Sequence, residues 1–410
     1  MQYEKLKVIS FNSQQNVEEE YAKRLNYPTT FKTNLIIIPY SVQKEERVIQ
    51  ERYPLFHMPL PEILMLEDRI LRNSKEIQKI LVELPPIAQD KMLFNQIIEE
   101  IQSTNEIEGV RSTRKELQEA AKYKDSHKEV RFKGIVSQYL NISDSKYEKI
   151  EKVEDYRSIY DTLFVNEIQE EGLTDGKLFR KDTVYVEGKN KIVHQGAPNE
   201  ELIVKDLEVL IHFMNSESYP FLLKAAITHY FFEYIHPFYD GNGRLGRFIL
   251  SSYLARKVDK FTGVSFSYAV RENRKKYLDA FIEVSDPKNK GDITHFVQTI
   301  YELVIEGQEK FIEELLELQF RYEHAKRYMQ NSDSITDEEK KIVFYYIQNY
   351  LFDSFNDVED RNIAEMIKVT MPTLNKRIKP LVEKGIIEQI KQRPSIHTLS
   401  DQFIDRIEGY

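Results

Sequence analysis

Cysteine is absent from this chain. Its absence excludes disulfides, thiolate zinc sites and cysteine nucleophiles, and fits a reducing compartment, so a cytoplasmic location is expected. Glycine and proline are scarce, with 14 of each in 410 residues, which points to a helix-rich protein. Long apolar runs are missing: LIII at 35–38 is far too short to cross a bilayer. The opening MQYEKLKVISFNSQQ has no basic stretch followed by an apolar one, so neither a signal peptide nor a membrane partner is expected. Positive charge is not in excess. The net charge of −9 argues against wholesale attraction to nucleic acid or membrane.

What is present is ordinary for a globular protein, 41% apolar and 30% charged, and long enough for two or three domains. Residues 34–40 read as one short buried strand. From Pro61 apolar residues recur at spacings of three and four, which predicts a helix ended by Pro85-Pro86; a second helix is expected over about 90–103. Residues 1–94 are thus expected to form an N-terminal, largely helical region. Helices are expected again over 110–180 and from 200 to about 329, with a break at 287–291. Between them, 184–187 and 191–194 flank a Gly-Lys-Asn turn, the one clear hairpin of the sequence. A polar linker is expected at 332–337. The tail, 335–410, reads as a separate unit: a helix from Asp337, a short helix from Val358, a turn, a helix from Met371, then a short hairpin.

The informative stretch is His236-Pro-Phe-Tyr-Asp240-Gly241-Asn242-Gly243-Arg244-Leu-Gly-Arg247, set between two helical runs. Gly241 and Gly243 free the backbone to curl its N–H groups into one concavity. The helix that follows adds unpaired N–H groups and the positive end of its dipole, a site suited to a diphosphate. Asp240 brings a hard oxygen for Mg²⁺. Arg244 and Arg247 bring forked donors for phosphate oxygens. His236 can accept a proton near neutral pH. Together these residues fit phosphoryl or nucleotidyl transfer.

This stretch resembles the Fic family motif HPFx(D/E)GNGRxxR at every specified position. The resemblance implies a mainly α fold, a helical bundle over roughly 95–330 with a small hairpin flap, preceded by a Fic-associated region at 1–94. It implies a protein adenylyltransferase that moves AMP from ATP, with Mg²⁺, onto a Ser, Thr or Tyr hydroxyl of a target protein or of itself. His236 would be the general base and Asp240 the metal ligand. Gly241, Asn242 and Gly243 would hold the α- and β-phosphates, and Arg244 and Arg247 the β- and γ-phosphates. The 184–194 hairpin would be the flap that pairs with the target by strand addition. Many members have a tyrosine pair after an Asn-Arg in the adenine pocket. Here Asn273-Arg274 is followed by Tyr277-Leu278, so Tyr277 is the expected wall residue. A homodimer is expected from the family.

Upstream, Thr104-Asn-Glu-Ile-Glu108-Gly109 resembles the family's inhibitory motif (S/T)xxxE(G/N). Thr104 and Glu108 are four apart, on one helix face, and Gly109 suits a left-handed helix end. The resemblance implies that Glu108 pairs with Arg247 and leaves ATP in an unproductive pose, and that Glu108 also serves removal of AMP. The tail resembles a winged helix-turn-helix, with Thr370 capping the second helix, Pro372 in its first turn and residues 391–393 in the wing. Its mixed charge favours protein contact, with DNA as the other partner. The competing reading is a DNA-binding regulator whose Fic domain uses another nucleotide or phosphate donor.

Overall fold

Helices dominate the computed structural model, as the scarcity of breakers predicts. It describes residues 3–12, 16–165, 167–168, 172–188, 190–332, 334–352 and 359–408. The chain forms two compact units, one of residues 1–74 and 96–309, the other of 75–95 and 310–410.

The first unit opens with α1 (Leu6–Ile9) and α2 (Val17–Leu25), then β1 (Phe31–Ile37), β2 (Tyr40–Ser41), β3 (Glu46–Arg47) and β4 (Tyr53–His57). β1 pairs antiparallel with β4, Phe31 opposite His57 and Ile37 opposite Tyr53; β2 pairs with β3. The region expected to be largely helical therefore carries two small sheets. Along β1, Thr33, Leu35 and Ile37 are buried and their neighbours exposed, the period of two that a half-buried strand needs. The paired residues lie 16 to 26 positions apart in the chain, beyond the reach of a local pattern.

Next come α3 (Pro61–Glu83), α4 (Pro86–Ile107), α5 (Arg114–Lys122), α6 (Lys133–Ser143) and α7 (Val153–Leu163). Pro85-Pro86 separates α3 from α4 as expected, although α4 runs from 86 to 107, longer at both ends than 90–103. β5 (Tyr185–Glu187) and β6 (Ile192–Gln195) form the expected hairpin, Val186 opposite His194. Its turn residue Lys189 lies outside the described residues.

The centre of this unit is α9 (Phe221–Ile235), which follows α8 (Glu200–Asn215). Its sequence FLLKAAITHYFFEYI is apolar on every side, and nearly every residue is buried, as expected of a helix surrounded by others. α10 (Asn242–Lys257) packs on it and is buried from Asn242 to Ala255 apart from Gly243. α11 (Lys260–Gly263), α12 (Phe266–Glu272), α13 (Arg274–Ser285) and α14 (Thr294–Asn331) follow.

The second unit contains α15 (Asp337–Phe352), α16 (Asp360–Met366), α17 (Met371–Glu383), β7 (Ile387–Gln392), β8 (Ser395–Leu399) and α18 (Asp401–Glu408). The expected start of the short helix, Val358, lies outside the described residues. Thr370 stands at the N-cap of α17, yet its hydroxyl meets the Thr373 hydroxyl at 2.9 Å instead of capping a backbone N–H. The units divide within α14, near residue 309, and not at the polar segment 332–337. α14 is 38 residues long and runs unbroken through the division, with Gly307 the one helix-weakening residue near it. Among the described residues no helix is long and apolar enough to cross a membrane.

Candidate active site

Two helices position the motif. α9 ends at His236, whose φ of 54° is left-handed, and α10 begins after Gly241, whose φ of +84° is left-handed too. Two reversals five residues apart fold the intervening loop back, so that the end of one helix faces the start of the next. Gly241 is required twice over: a Cβ there would lie 2.9 Å from the Phe164 ring.

Asn242 holds the loop closed. Its side-chain amide donates to the Phe238 carbonyl at 2.8 Å and accepts from the Phe238 N–H at 2.9 Å. The side chain is thus committed to the loop, and what Asn242 offers an anion is its main-chain N–H. Asp240 accepts from the Gly241 N–H at 2.6 Å through Oδ1.

The imidazole of His236 keeps 19% of its side-chain surface exposed. Nδ1 lies 3.3 Å from the Glu233 carbonyl oxygen, which assigns the proton to Nδ1 and leaves Nε2 as the acceptor. Burial, then the Arg180 charge, lower its pKa to about 4, so the ring is neutral at pH 7. Glu233 lies beside it, with Oε2 3.9 Å from Nδ1. Burial raises the Glu233 carboxyl to about 8, and its Oε1, packed where a Cβ at Gly246 would stand, has no hydrogen-bond partner.

The upstream motif meets this loop. Arg247 is buried to 2% side-chain exposure. Its Nε donates to the Thr104 hydroxyl at 2.8 Å, and its Nη2 to the Thr104 carbonyl at 3.2 Å and to Glu108 Oε1 at 2.7 Å. Burial pushes the Glu108 carboxyl up, but the Arg247 guanidinium outweighs it and the net shift is downward. Gly109, at φ +73°, closes α4: its N–H reaches the Glu106 carbonyl and the Val110 N–H the Asn105 carbonyl, a Schellman end. Glu108 Oε1 lies over the first turn of α10, 2.2 Å from where a Cβ on Gly243 would be. Two turns before Glu108, Glu100 on α4 is fully buried and accepts from Ser251, from the Ser267 hydroxyl and from the Ser267 N–H.

Arg244 points elsewhere. It meets Glu167 at 3.3 Å and covers the Phe164 ring at 4.4 Å. Burial raises Glu167 to about 7 against the pull of Arg244.

A cavity of about 310 Å³ joins His236, Gly243, Arg247 and Glu108 to an apolar end formed by Val186, Val193, Leu278 and Phe281. Tyr277 lines it too, 3% exposed, with its hydroxyl 2.7 Å from His229 Nε2. A larger, more open hollow of about 630 Å³ around Lys5, Asp279 and His295 carries none of the motif side chains. The structure thus gathers His236, Gly243, Arg247, Glu108 and Tyr277 at one cavity, with Thr104 behind Arg247; Asp240 and Arg244 border the loop outside the cavity lining. Sequence reasoning missed Arg180, Glu167, Glu233 and Glu100. Each is a lone charged residue whose burial gives the only sign of a role.

Comparison with known proteins supplies the class. Residues 150–254, which include the whole motif, match the Fic/DOC family model. The curated relatives it matches include the protein adenylyltransferases Fic of Drosophila ananassae (32% identical over 126 residues, 31% of this chain and 23% of the relative), Drosophila virilis (33% over 129 residues, 31% and 24%) and Aedes aegypti (31% over 126 residues, 31% and 23%). The matched stretch spans about a quarter of those relatives' length. A solved Fic family protein from Desulfovibrio desulfuricans G20 shares the fold, with a TM-score of 0.51 at 17% identity over 84% of this chain and 98% of that one.

Proposed function

We propose that this chain is a protein adenylyltransferase that transfers AMP from ATP to a hydroxyl of a target protein or of itself, and that α4 restrains it. The observation that carries this reading is the neutral His236 and the N-terminus of α10 in one cavity with Arg247, which Glu108 holds. The adenine fits the apolar end beside Tyr277, and the phosphates fit the N–H groups of 241–243 and the guanidinium of Arg247. His236 Nε2 takes the proton of the target hydroxyl. The hydroxyl oxygen bonds to the α-phosphorus, the bond from that phosphorus to the bridging oxygen breaks, and pyrophosphate leaves with the electron pair.

Asp240 fits a Mg²⁺ ion. It is an exposed hard oxygen at the loop, steadied by the Gly241 N–H, and the described residues hold no group of three or more His, Asp or Glu that could bind a metal. That suits an ion that takes most of its ligands from phosphate and water. When bound, the metal offsets phosphate charge.

Glu108 blocks the reaction by occupying both the guanidinium and the space above Gly243 that a phosphate needs. The same carboxylate serves the reverse reaction, orienting water toward an AMP-modified hydroxyl. The β5–β6 hairpin docks the target strand. The tail acts as a winged helix-turn-helix for contact with a protein, and the whole works in the cytoplasm as a homodimer. Labelling with α-labelled ATP tests the reading: Glu108→Gly should take up about tenfold or more label than wild type, and adding His236→Ala should remove about 99% of it. Equal labelling with and without His236 sinks it.

A further inference from the structure

Arg180, in the segment between α7 and β5, is with Arg247 one of the two largest fully buried side chains among the described residues, and there no carboxylate pairs with it. A buried cation without a counter-ion is costly unless its donors are met. Here main-chain carbonyls meet them. Nε donates to the His236 carbonyl at 2.8 Å, Nη2 to the Ile235 carbonyl at 3.2 Å, and Nη1 to the Asp182 carbonyl. Two of these are orphan carbonyls at the C-terminus of α9, where a cation also meets the negative end of the dipole. The Arg180 N–H adds a bond to the Pro237 carbonyl at 3.3 Å. Asp182 leads into β5, and Gly196 follows β6. A Cβ at Gly196 would lie 2.5 Å from Arg180 Nη2 and 3.1 Å from His236 Cβ.

We propose that Arg180 is a positioning residue of this active site: one guanidinium locks the left-handed turn at His236 to both roots of the β5–β6 hairpin, holding base and target-docking edge in a single register. The inference rests on the transferase reading above. Its charge has a second effect. His236 faces Glu233 from α9, Asp240 from the loop, Glu108 from α4, His194 from β6 and Arg180; of these Arg180 most strongly disfavours the imidazolium.

The test uses the full chain carrying Glu108→Gly. Arg180→Lys keeps the charge and loses the fork; Arg180→Gln loses both. Both should lower the maximal rate of label uptake about tenfold or more, with half-saturating ATP within about threefold of the parent. In Arg180→Gln the acid limb of the rate should also move to higher pH, because the imidazole regains proton affinity; in Arg180→Lys it should stay. Amide exchange at 235, 236 and 238 and at 196–197 needs no turnover and should quicken in both variants. Should Glu108→Gly take up no label, the transferase reading falls while exchange still decides the lock. If Arg180→Gln does not fold, Arg180→Lys decides alone. Parental rate and parental exchange in Arg180→Lys overturn the proposal.

Discussion

The two motif arginines sit three residues apart on α10 and meet different surroundings. Arg247 is well met: the Thr104 hydroxyl, the Thr104 carbonyl and the Glu108 carboxylate at the end of α4 take its Nε and Nη2 donors. Arg244 is half met. Its Nε has no partner, and neither does Oε1 of its carboxylate Glu167. A buried pair with orphaned atoms on both sides has lost solvation without full return, so another anion can displace the carboxylate at small cost. The better-met Arg247 pair resists exchange more. On the proposed reading, restraint sits at Arg247 and Arg244 is left for a ligand.

The contrast can be broken by measurement. Arg247→Ala in the Glu108→Gly chain should cut label uptake about 100-fold or more, because the phosphate contact goes with the restraint. Glu108→Gly alone should raise uptake about 10- to 100-fold, the worth of one charge-assisted bond at ~1.5–3 kcal/mol. Thr104→Val, which removes only the hydroxyl under Arg247 Nε, should raise it about three- to tenfold. Glu167→Gln should change it less than about threefold; a larger rise than that from Glu108→Gly would reverse the assignment of the two arginines.

A stability measurement sharpens the same contrast. Burial raises Glu233, beside Arg247, to about 8 and Glu100 to about 7. Both folded values lie above those of the unfolded chain. The stability held by their neutral forms is therefore complete below about pH 4.5 and is lost as pH rises through 7 and 8. The melting temperature should fall by a few degrees between about pH 6 and pH 9, at ~1–2 kcal/mol, and Glu233→Gln should flatten that fall. An unchanged slope would mean that the carboxyl is solvated.

The loop was legible because nearly every one of its positions is chemically special and they are contiguous. Thr104, Glu108 and Gly109 were legible through their resemblance to a family motif; helical spacing and a left-handed helix end agree with it but would not have singled them out. Arg180 was not: 56 residues separate it from the His236 carbonyl, and one arginine in an aperiodic segment looks like surface. Glu167 and Glu233 were hidden likewise, since acids in polar or helical stretches are usually solvated. For Asn242, sequence gave the residue and missed its side chain's commitment to Phe238. The β1–β4 sheet and the division within α14 depend on partners far along the chain, which local periodicity does not carry.

One consequence concerns how this protein can change. The closeness of Gly243 to Glu108 means that any larger residue at 243 would expel the glutamate and fill the phosphate's seat in the same step. On the proposed reading, a side chain at 243 is therefore no route out of control. An always-on variant would then arise at 104, 108 or 109, in and just after the last turn of α4, and selection for activity would leave its scars there.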